Sequence, residues 1–191
     1  DLGVFVEGLE QGREMGLDRL RMVAIEPLEH PDLAGLVRTA REMGYTEVEA
    51  WTSGRALADV TWADELKEAG LTHLDLPLFG HEADLHDEIA GVRWSFVETL
   101  EGIANAVPRF DVRWHLILVA QNVAFIQDIV ALAEDKGLGR PVSVLIPSPS
   151  SEDRGPYEAF APRLSEVAEA VAALPGELGP YLLQRGLAHQ I

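Results

Sequence analysis

The side chains best suited to bind a ligand follow the ends of short apolar segments. Glu26 follows the run from Leu20 to Ile25, and Ser53 and Gly54 follow a second run. Gln121 and Asn122 follow a third run. If these runs are parallel strands, their carboxyl ends lie at one edge of the sheet and face any ligand. Carboxylate, hydroxyl and amide groups at that edge suit an amine, a ribose or another polar substrate.

Each of these residues also has a purely structural interpretation. Glu26 can cap the following helix or pair with a basic neighbour, and Ser53-Gly54 can form a plain turn between a strand and a helix. Asn122 can be the N-cap of the next helix. Both interpretations stay open for all of them.

A serine-rich loop after the last apolar run offers further polar groups. Ser143, Ser148 and Ser150 can contact an adenine or ribose edge. The alternative, slightly favoured, is a polar loop stiffened by Pro147 and Pro149.

Three histidines and one aspartate elsewhere in the sequence are weaker candidates for metal binding or acid–base catalysis. The spacing of His81, His86 and Asp87 matches no standard metal site with a third ligand nearby, so packing at helix ends is favoured and no metal is predicted. His115 lies inside an apolar strand, which favours a hydrogen-bonded core residue over an acid or base. No residue is assigned a catalytic role, and no hydrolase, Walker-type or dinucleotide-binding motif occurs.

Strands and helices alternate along the chain, with Gly or Pro at many of the boundaries. Thr61 is the expected N-cap of the third helix, and Ser95 with Glu98 forms the expected capping box of the fifth. Short apolar strands between amphipathic helices are typical of a parallel sheet covered by helices. The expected strands are 20–25, 48–52, 72–79, 113–120 and 142–146, and the expected helices are 6–16, 31–43, 62–69, 83–90, 95–107, 123–136, 162–174 and 181–189.

Composition excludes several classes of function. The formal net charge of −17 argues against nucleic acid or an anionic membrane as partner. The absence of cysteine excludes disulfides, thiolate catalysis and iron–sulfur ligation by this chain. With no apolar run long enough for a membrane span and no signal-like start, a cytoplasmic location is expected.

The strand ends carry a resemblance to the radical S-adenosylmethionine (radical SAM) superfamily. Segment 24–33, AIEPLEHPDL, resembles the family's Gly-Gly-Glu-Pro-Leu-Leu-His-Pro-Asp-Leu, and segment 51–54, WTSG, resembles its Thr-Asn-Gly. Segments 78–103 and 115–122 are similar to its fourth strand with paired helices and to its fifth strand. The resemblance implies an α/β fold, a partial (β/α) barrel of about five parallel strands with outer helices, as a single domain over residues 1–191.

The resemblance also implies a cofactor site. It places S-adenosylmethionine against Ala24, Ile25, Glu26, Ser53, Gly54, Gln121, Asn122 and Ser148. In the family, a Cys-x-x-x-Cys-x-x-Cys loop after the first strand holds a [4Fe–4S] cluster, and that strand and loop are not found here. The family's two glycines are Ala24 and Ile25, whose Cβ atoms narrow the approach to the ligand.

Two hypotheses follow. In the first, the chain is the barrel body of a radical SAM enzyme whose cluster is held by residues outside this chain, and it is inactive alone. In the second, it is a cluster-less relative that serves as a binding or interaction module. A small-molecule or peptide substrate is expected in the first. In both, the open strand edge beside residues 20–25 invites a partner chain or a further segment.

Overall fold

The computed structural model describes residues 2–23, 25–146 and 160–186. Five parallel strands follow one another in sequence order within one sheet. The strands are β1 (Arg19–Met22), β2 (Glu47–Trp51), β3 (His73–Leu78), β4 (Asp111–Ile117) and β5 (Ser143–Leu145). The helices are α1 (Leu2–Glu14), α2 (Leu33–Glu42), α3 (Val60–Ala69), α4 (Ala83–Ala90), α5 (Ser95–Ala106), α6 (Ile126–Asp135), α7 (Leu164–Ala172) and α8 (Leu178–Gly186).

Contacts divide the chain into two compact units. The first comprises residues 1–76 and 98–112, and the second comprises residues 77–97 and 113–191. The prediction of one domain over residues 1–191 stays a prediction.

The first unit has a core between one face of its strands and the helices α1, α2 and α3. Val48 and Ala50 of β2 and Leu74 of β3 are fully buried against α2 and α3, which contribute Val37 and Leu66. Because side chains alternate along a strand, the residues between them face the other side of the sheet. That second face carries charged and polar groups, as described below.

In the second unit, apolar side chains of β4 and β5 are buried together with those of the following helices. The buried residues of the unit include Trp114, Leu116, Ile126, Ile129, Val144, Val167 and Val171. The β4–β5 register pairs His115 with Ser143 and Leu116 with Val144. Both units thus show the alternation of apolar strands and amphipathic helices that the sequence predicts.

Several boundaries differ from the expectation. Strand β1 ends at Met22, so Val23 and Ile25 lie in the connection after it. Asp59, rather than the expected Thr61, caps α3, because its carboxylate accepts a hydrogen bond from the Thr61 backbone N–H at 2.9 Å. No helix in the described parts of the chain is both long and apolar enough to cross a bilayer.

Candidate ligand-binding site

Glu26 is a hydrogen-bonding hub in the connection between β1 and α2. Its Oε1 accepts hydrogen bonds from the Leu28 backbone N–H at 3.2 Å and from the Thr52 hydroxyl at 2.5 Å. Its Oε2 accepts from the Ser53 backbone N–H at 2.8 Å and from the Ser53 hydroxyl at 2.5 Å. The four bonds use the four acceptor positions of a carboxylate. Glu26 therefore joins the end of β1 to the end of β2, and it also caps the short 3₁₀ turn Pro27–Glu29.

The turn after β2 is held from its other side by α5. Gly54 has a φ of 80°, in the left-handed region, and its N–H donates to the Thr52 hydroxyl at 3.0 Å. The Thr99 hydroxyl donates to the Ser53 carbonyl at 3.3 Å. A Cβ on Gly102 would collide with the Gly54 carbonyl oxygen, so glycine is required for this approach. Ser53 and Gly54 are consequently fixed in place before any ligand binds.

Glu98 and Arg55 strengthen the same junction. Arg55 Nε donates to Glu98 Oε2 at 2.7 Å. Glu98 was expected to close a capping box with Ser95, but its carboxylate is bonded to Arg55 instead. This long-range ion pair links the turn after β2 to α5.

Of the two residues that replace the family's glycines, only Ile25 lies within the described residues. Ala24 lies outside the described residues, as does Ser148 with its neighbours Pro147 to Ser151. Ile25 is fully exposed and directs its side chain into solvent. Within the described residues, Glu26, Ser53 and Gly54 are brought together.

A charged network on the polar face of the first unit was not found from the sequence. Arg21 of β1 pairs with Glu49 of β2 at 2.9 Å and with Asp75 of β3 at 3.4 Å. Arg19 pairs with Glu47 at 2.8 Å, as the β1–β2 register allows. Glu49 and Asp75 are buried, so the guanidinium of Arg21 compensates charges that would otherwise be costly. The sequence feature that indicated this charged face was the strict alternation of Glu with Val and Ala in β2.

Glu47, Glu49 and His73 offer ligand atoms within 4.8 Å of one another. Both carboxylates already pair with arginines, and His73 Nδ1 lies 2.8 Å from the Thr72 hydroxyl. The group is thus part of the ion-pair network, and its arrangement gives no reason to assign a metal.

Asn122, in the second unit, is committed to the chain itself. Its Oδ1 accepts from the Val119 N–H at 2.8 Å, and its Nδ2 donates to the carbonyls of Phe79 and Ile117 at 2.7 and 2.8 Å. It is fully buried and occupies the N-cap position of a 3₁₀ turn, without a side-chain bond into that turn. Gln121 differs, because its buried Oε1 has no hydrogen-bond partner among the described residues. Of this pair, only Gln121 offers an acceptor for a ligand.

His86 and Asp87 make packing and hydrogen-bond contacts within the fold, in agreement with the interpretation that the sequence favours. His86 is buried against the rings of Phe79 and Phe96, and burial lowers its pKa to about 4. The Asp87 carboxylate accepts from the N–H groups of Trp94 and Phe96 and from the Ser95 hydroxyl. These bonds, that from Phe96 foremost, lower the pKa of Asp87 and fix the start of α5.

His115 is a hydrogen-bonded core residue. Its Nδ1 shares a 2.7 Å hydrogen bond with the hydroxyl of Ser143, its partner in the β4–β5 register. Both residues are buried. The favoured prediction of a core histidine is confirmed, and the Ser143 hydroxyl is directed to His115.

The strand order and the hydrogen-bonded strand ends define an α/β protein of the partial βα-barrel class. A family model described as the Radical SAM superfamily matches residues 1–147. The chain belongs to the radical SAM superfamily, and the resemblance of its strand ends is confirmed.

Two curated relatives show the breadth of the family. A probable GTP 3′,8-cyclase of Sulfurisphaera tokodaii is 27% identical over 129 residues, which cover 66% of this chain and 40% of that protein. A PqqA peptide cyclase of Ruegeria pomeroyi is 28% identical over 142 residues, covering 73% of this chain and 37% of that protein. This chain therefore spans less than half the length of either relative.

Solved structures support the fold class. The structure described as native anSMEcpe with bound AdoMet matches 90% of this chain and 50% of its own, with a TM-score of 0.69 and 15% identity. Archaeal TYW1 matches 81% of this chain and 48% of its own, with a TM-score of 0.55 and 15% identity. At such identity the likeness concerns the fold alone, and it confirms five parallel strands of the radical SAM partial-barrel type.

Proposed function

We propose that this chain is the barrel body of a radical SAM-type enzyme and that it binds S-adenosylmethionine at its strand ends. The observation that carries the proposal is the Glu26 hub. It fixes the connection after β1 to Ser53 at the end of β2, where the family resemblance places the cofactor. A binding surface whose side chains are held before the ligand arrives loses less entropy on binding.

The role we assign to Glu26 is positioning. All four of its acceptor positions are used by the chain, so a ligand amine would compete with existing bonds. Direct contacts would come from the backbone of Ala24 and Ile25 and from the turn at Ser53 and Gly54. We retain Gln121, Asn122 and Ser148 as proposed cofactor-binding positions, and within the second unit taken by itself Gln121 offers an amide oxygen without a hydrogen-bond partner among the described residues.

The [4Fe–4S] cluster does not fit the residues present. Such clusters are held by cysteine thiolates, and this chain contains no cysteine. Radical chemistry therefore requires a cluster held by residues outside this chain. With it we expect a small-molecule or peptide substrate and a cytoplasmic location, and neither nucleic acid nor membrane as partner.

A cluster-less binding or interaction module is the second candidate. The replacement of both glycines by Ala24 and Ile25 favours it. The β1 edge adds a surface for a partner strand, because β1 pairs only with β2 among the described strands. A groove of about 610 Å³ lies beside β1 and is lined by apolar side chains that include Phe5, Leu20, Met22, Leu33 and Leu36.

Calorimetric titration with S-adenosylmethionine tests the proposal on the chain itself. Without a cluster to hold the ligand, we expect weak binding that the Ile25→Gly variant tightens several-fold by removing the Cβ. Leu17→Gly, which also removes an exposed aliphatic side chain, is the matched control and should leave the affinity unchanged. Absence of binding in the parent and in Ile25→Gly alike would contradict cofactor binding and favour the interaction module.

A further inference from the structure

A second pocket, of about 480 Å³, lies between the end of α4 and the start of α5. We call it the Trp94 pocket. Its lining includes Asp84, Glu88, Val92, Arg93, Trp94 and Val97. All of these residues belong to the second unit, and none takes part in the strand-end site described above.

Trp94 combines an exposed ring with an unfavourable backbone conformation. Its φ is 68°, the single positive φ of a non-glycine residue in the described ranges, and 64% of its surface is exposed. Such a conformation is strained and persists only when its surroundings enforce it. Here Asp87 enforces it, by accepting hydrogen bonds from the Trp94 N–H at 2.6 Å and the Phe96 N–H at 2.8 Å. The turn that carries this exposed aromatic ring is thus fixed by Asp87.

The carboxylates of the pocket outnumber its cations. Asp84 and Glu88 are exposed, four residues apart on α4, and neither side chain has an ion-pair or hydrogen-bond partner within the described part of the chain. Like charges at this spacing repel across the helix surface. Asp87 adds a third carboxylate, and Arg93 is the one cation in the described lining.

The ring of Trp94 already accepts a guanidinium. The Cζ atom of Arg93 lies 5.7 Å from the ring centroid, within the range of a cation–π contact. Val92 and Val97 are also substantially exposed and supply an apolar floor beside the ring. The pocket therefore combines an aromatic face, apolar contacts and excess negative charge.

We propose that the Trp94 pocket docks an arginine-bearing segment of a partner protein. The arginine replaces Arg93 on the Trp94 ring and pairs with Asp84 and Glu88, while an adjacent aliphatic side chain covers Val92 and Val97. The formal charge of −17 on the chain favours a basic partner, because it speeds the approach of cations and repels acidic surfaces. This inference does not depend on S-adenosylmethionine binding.

The test follows the indole N–H resonance of Trp94 in the ¹⁵N-labelled chain, assigned by its loss in Trp94→Phe. The probe is the blocked peptide acetyl-Ala-Leu-Arg-Leu-Ala-amide, and its counterpart with neutral citrulline in place of arginine is the reference. We expect a saturable shift with at least threefold tighter binding of the arginine peptide, weakening as salt is added. Equal binding of the two peptides, or no saturable shift, would overturn the proposal.

Charge variants distinguish binding at the Trp94 pocket from a general attraction of the peptide to an acidic protein. Asp84→Asn with Glu88→Gln should weaken the arginine peptide at least threefold. Glu10→Gln with Glu14→Gln, exposed acids at the same spacing on α1, makes the same change in net charge and should have no effect. Equal weakening by both pairs would refute a specific site, as would an indole shift that depends on protein concentration without peptide, since a second copy would then fill the pocket.

Discussion

Removing the Glu26 carboxylate should loosen the junction between the ends of β1 and β2. Hydrogen bonds to a charged group contribute about 1.5–3 kcal/mol each when buried, and Glu26 accepts four of them in a half-buried position. Because bonds that share one acceptor group do not add, we expect Glu26→Ala to lower the free energy of unfolding by about 3 kcal/mol. Glu26→Gln should cost about half as much, since its amide oxygen still accepts while its NH₂ group faces the donors of Ser53.

Urea unfolding followed by tryptophan fluorescence measures these losses. Glu29→Ala removes an exposed carboxylate three residues away and should stay within about 0.5 kcal/mol of the parent. A double-mutant cycle of Glu26→Ala with Ser53→Ala should show a coupling energy of about 1 kcal/mol or more. If Glu26→Ala behaves like Glu29→Ala, or if the cycle gives no coupling, the hub does not hold the strand ends and the reasoning fails.

Three further predictions concern the packing and the ion pairs of the fold. Gly102→Ala should lower the free energy of unfolding by more than about 2 kcal/mol, because the new Cβ meets the Gly54 carbonyl. Gly8→Ala in α1 places its Cβ in open space and should raise the free energy of unfolding by up to about 1 kcal/mol through helix propensity. Equal urea midpoints of the two variants would contradict this. Burial lowers the pKa of His86 to about 4, so the unfolded chain binds more protons between pH 6.5 and 4 and stability should fall by about 3 kcal/mol as the pH drops through this window. Unfolding curves of His86→Phe should lack that loss, and an unchanged pH profile would refute the assignment. Arg21→Met should cost about 2–3 kcal/mol by leaving two buried carboxylates without their guanidinium, and a change in urea midpoint equivalent to less than 0.5 kcal/mol would show that the network is not needed.

The order of elements was readable from the sequence because strands and helices have different apolar periods. The run around β4 is largely apolar, the run around β2 alternates glutamate with apolar residues, and both are flanked by turn residues, so their existence and sequence order were predicted. Their ends were less certain, because the end of a strand is fixed by its pairing partner. Strand β1 stops at Met22 although the apolar run continues to Ile25, since its register with β2 covers only four residues.

The sequence predicted that Glu26 and Ser53 lie at neighbouring strand ends, while their role in cofactor binding stays a prediction. The rule for parallel strand ends selected Glu26, Ser53 and Gln121, and Glu26 and Ser53 do meet. The sequence did not show that Thr52 and Ser53 donate hydrogen bonds to the Glu26 carboxylate. These residues are far apart in the chain, and no local sequence pattern predicts such contacts. The same holds for Arg21, whose two acidic partners lie 28 and 54 positions further along the chain.

We propose that this chain supplies the cofactor-binding wall of a radical SAM enzyme and that residues outside it hold the iron, because the chain contains no cysteine. The most direct measurement is anaerobic reconstitution of the full-length gene product with iron and sulfide, followed by visible absorption and assay of S-adenosylmethionine cleavage. We predict that the full-length product shows the absorption of a [4Fe–4S] cluster and releases 5′-deoxyadenosine, while the 191-residue chain treated in the same way does neither. A full-length product without cluster absorption would contradict the enzyme assignment and leave the interaction module.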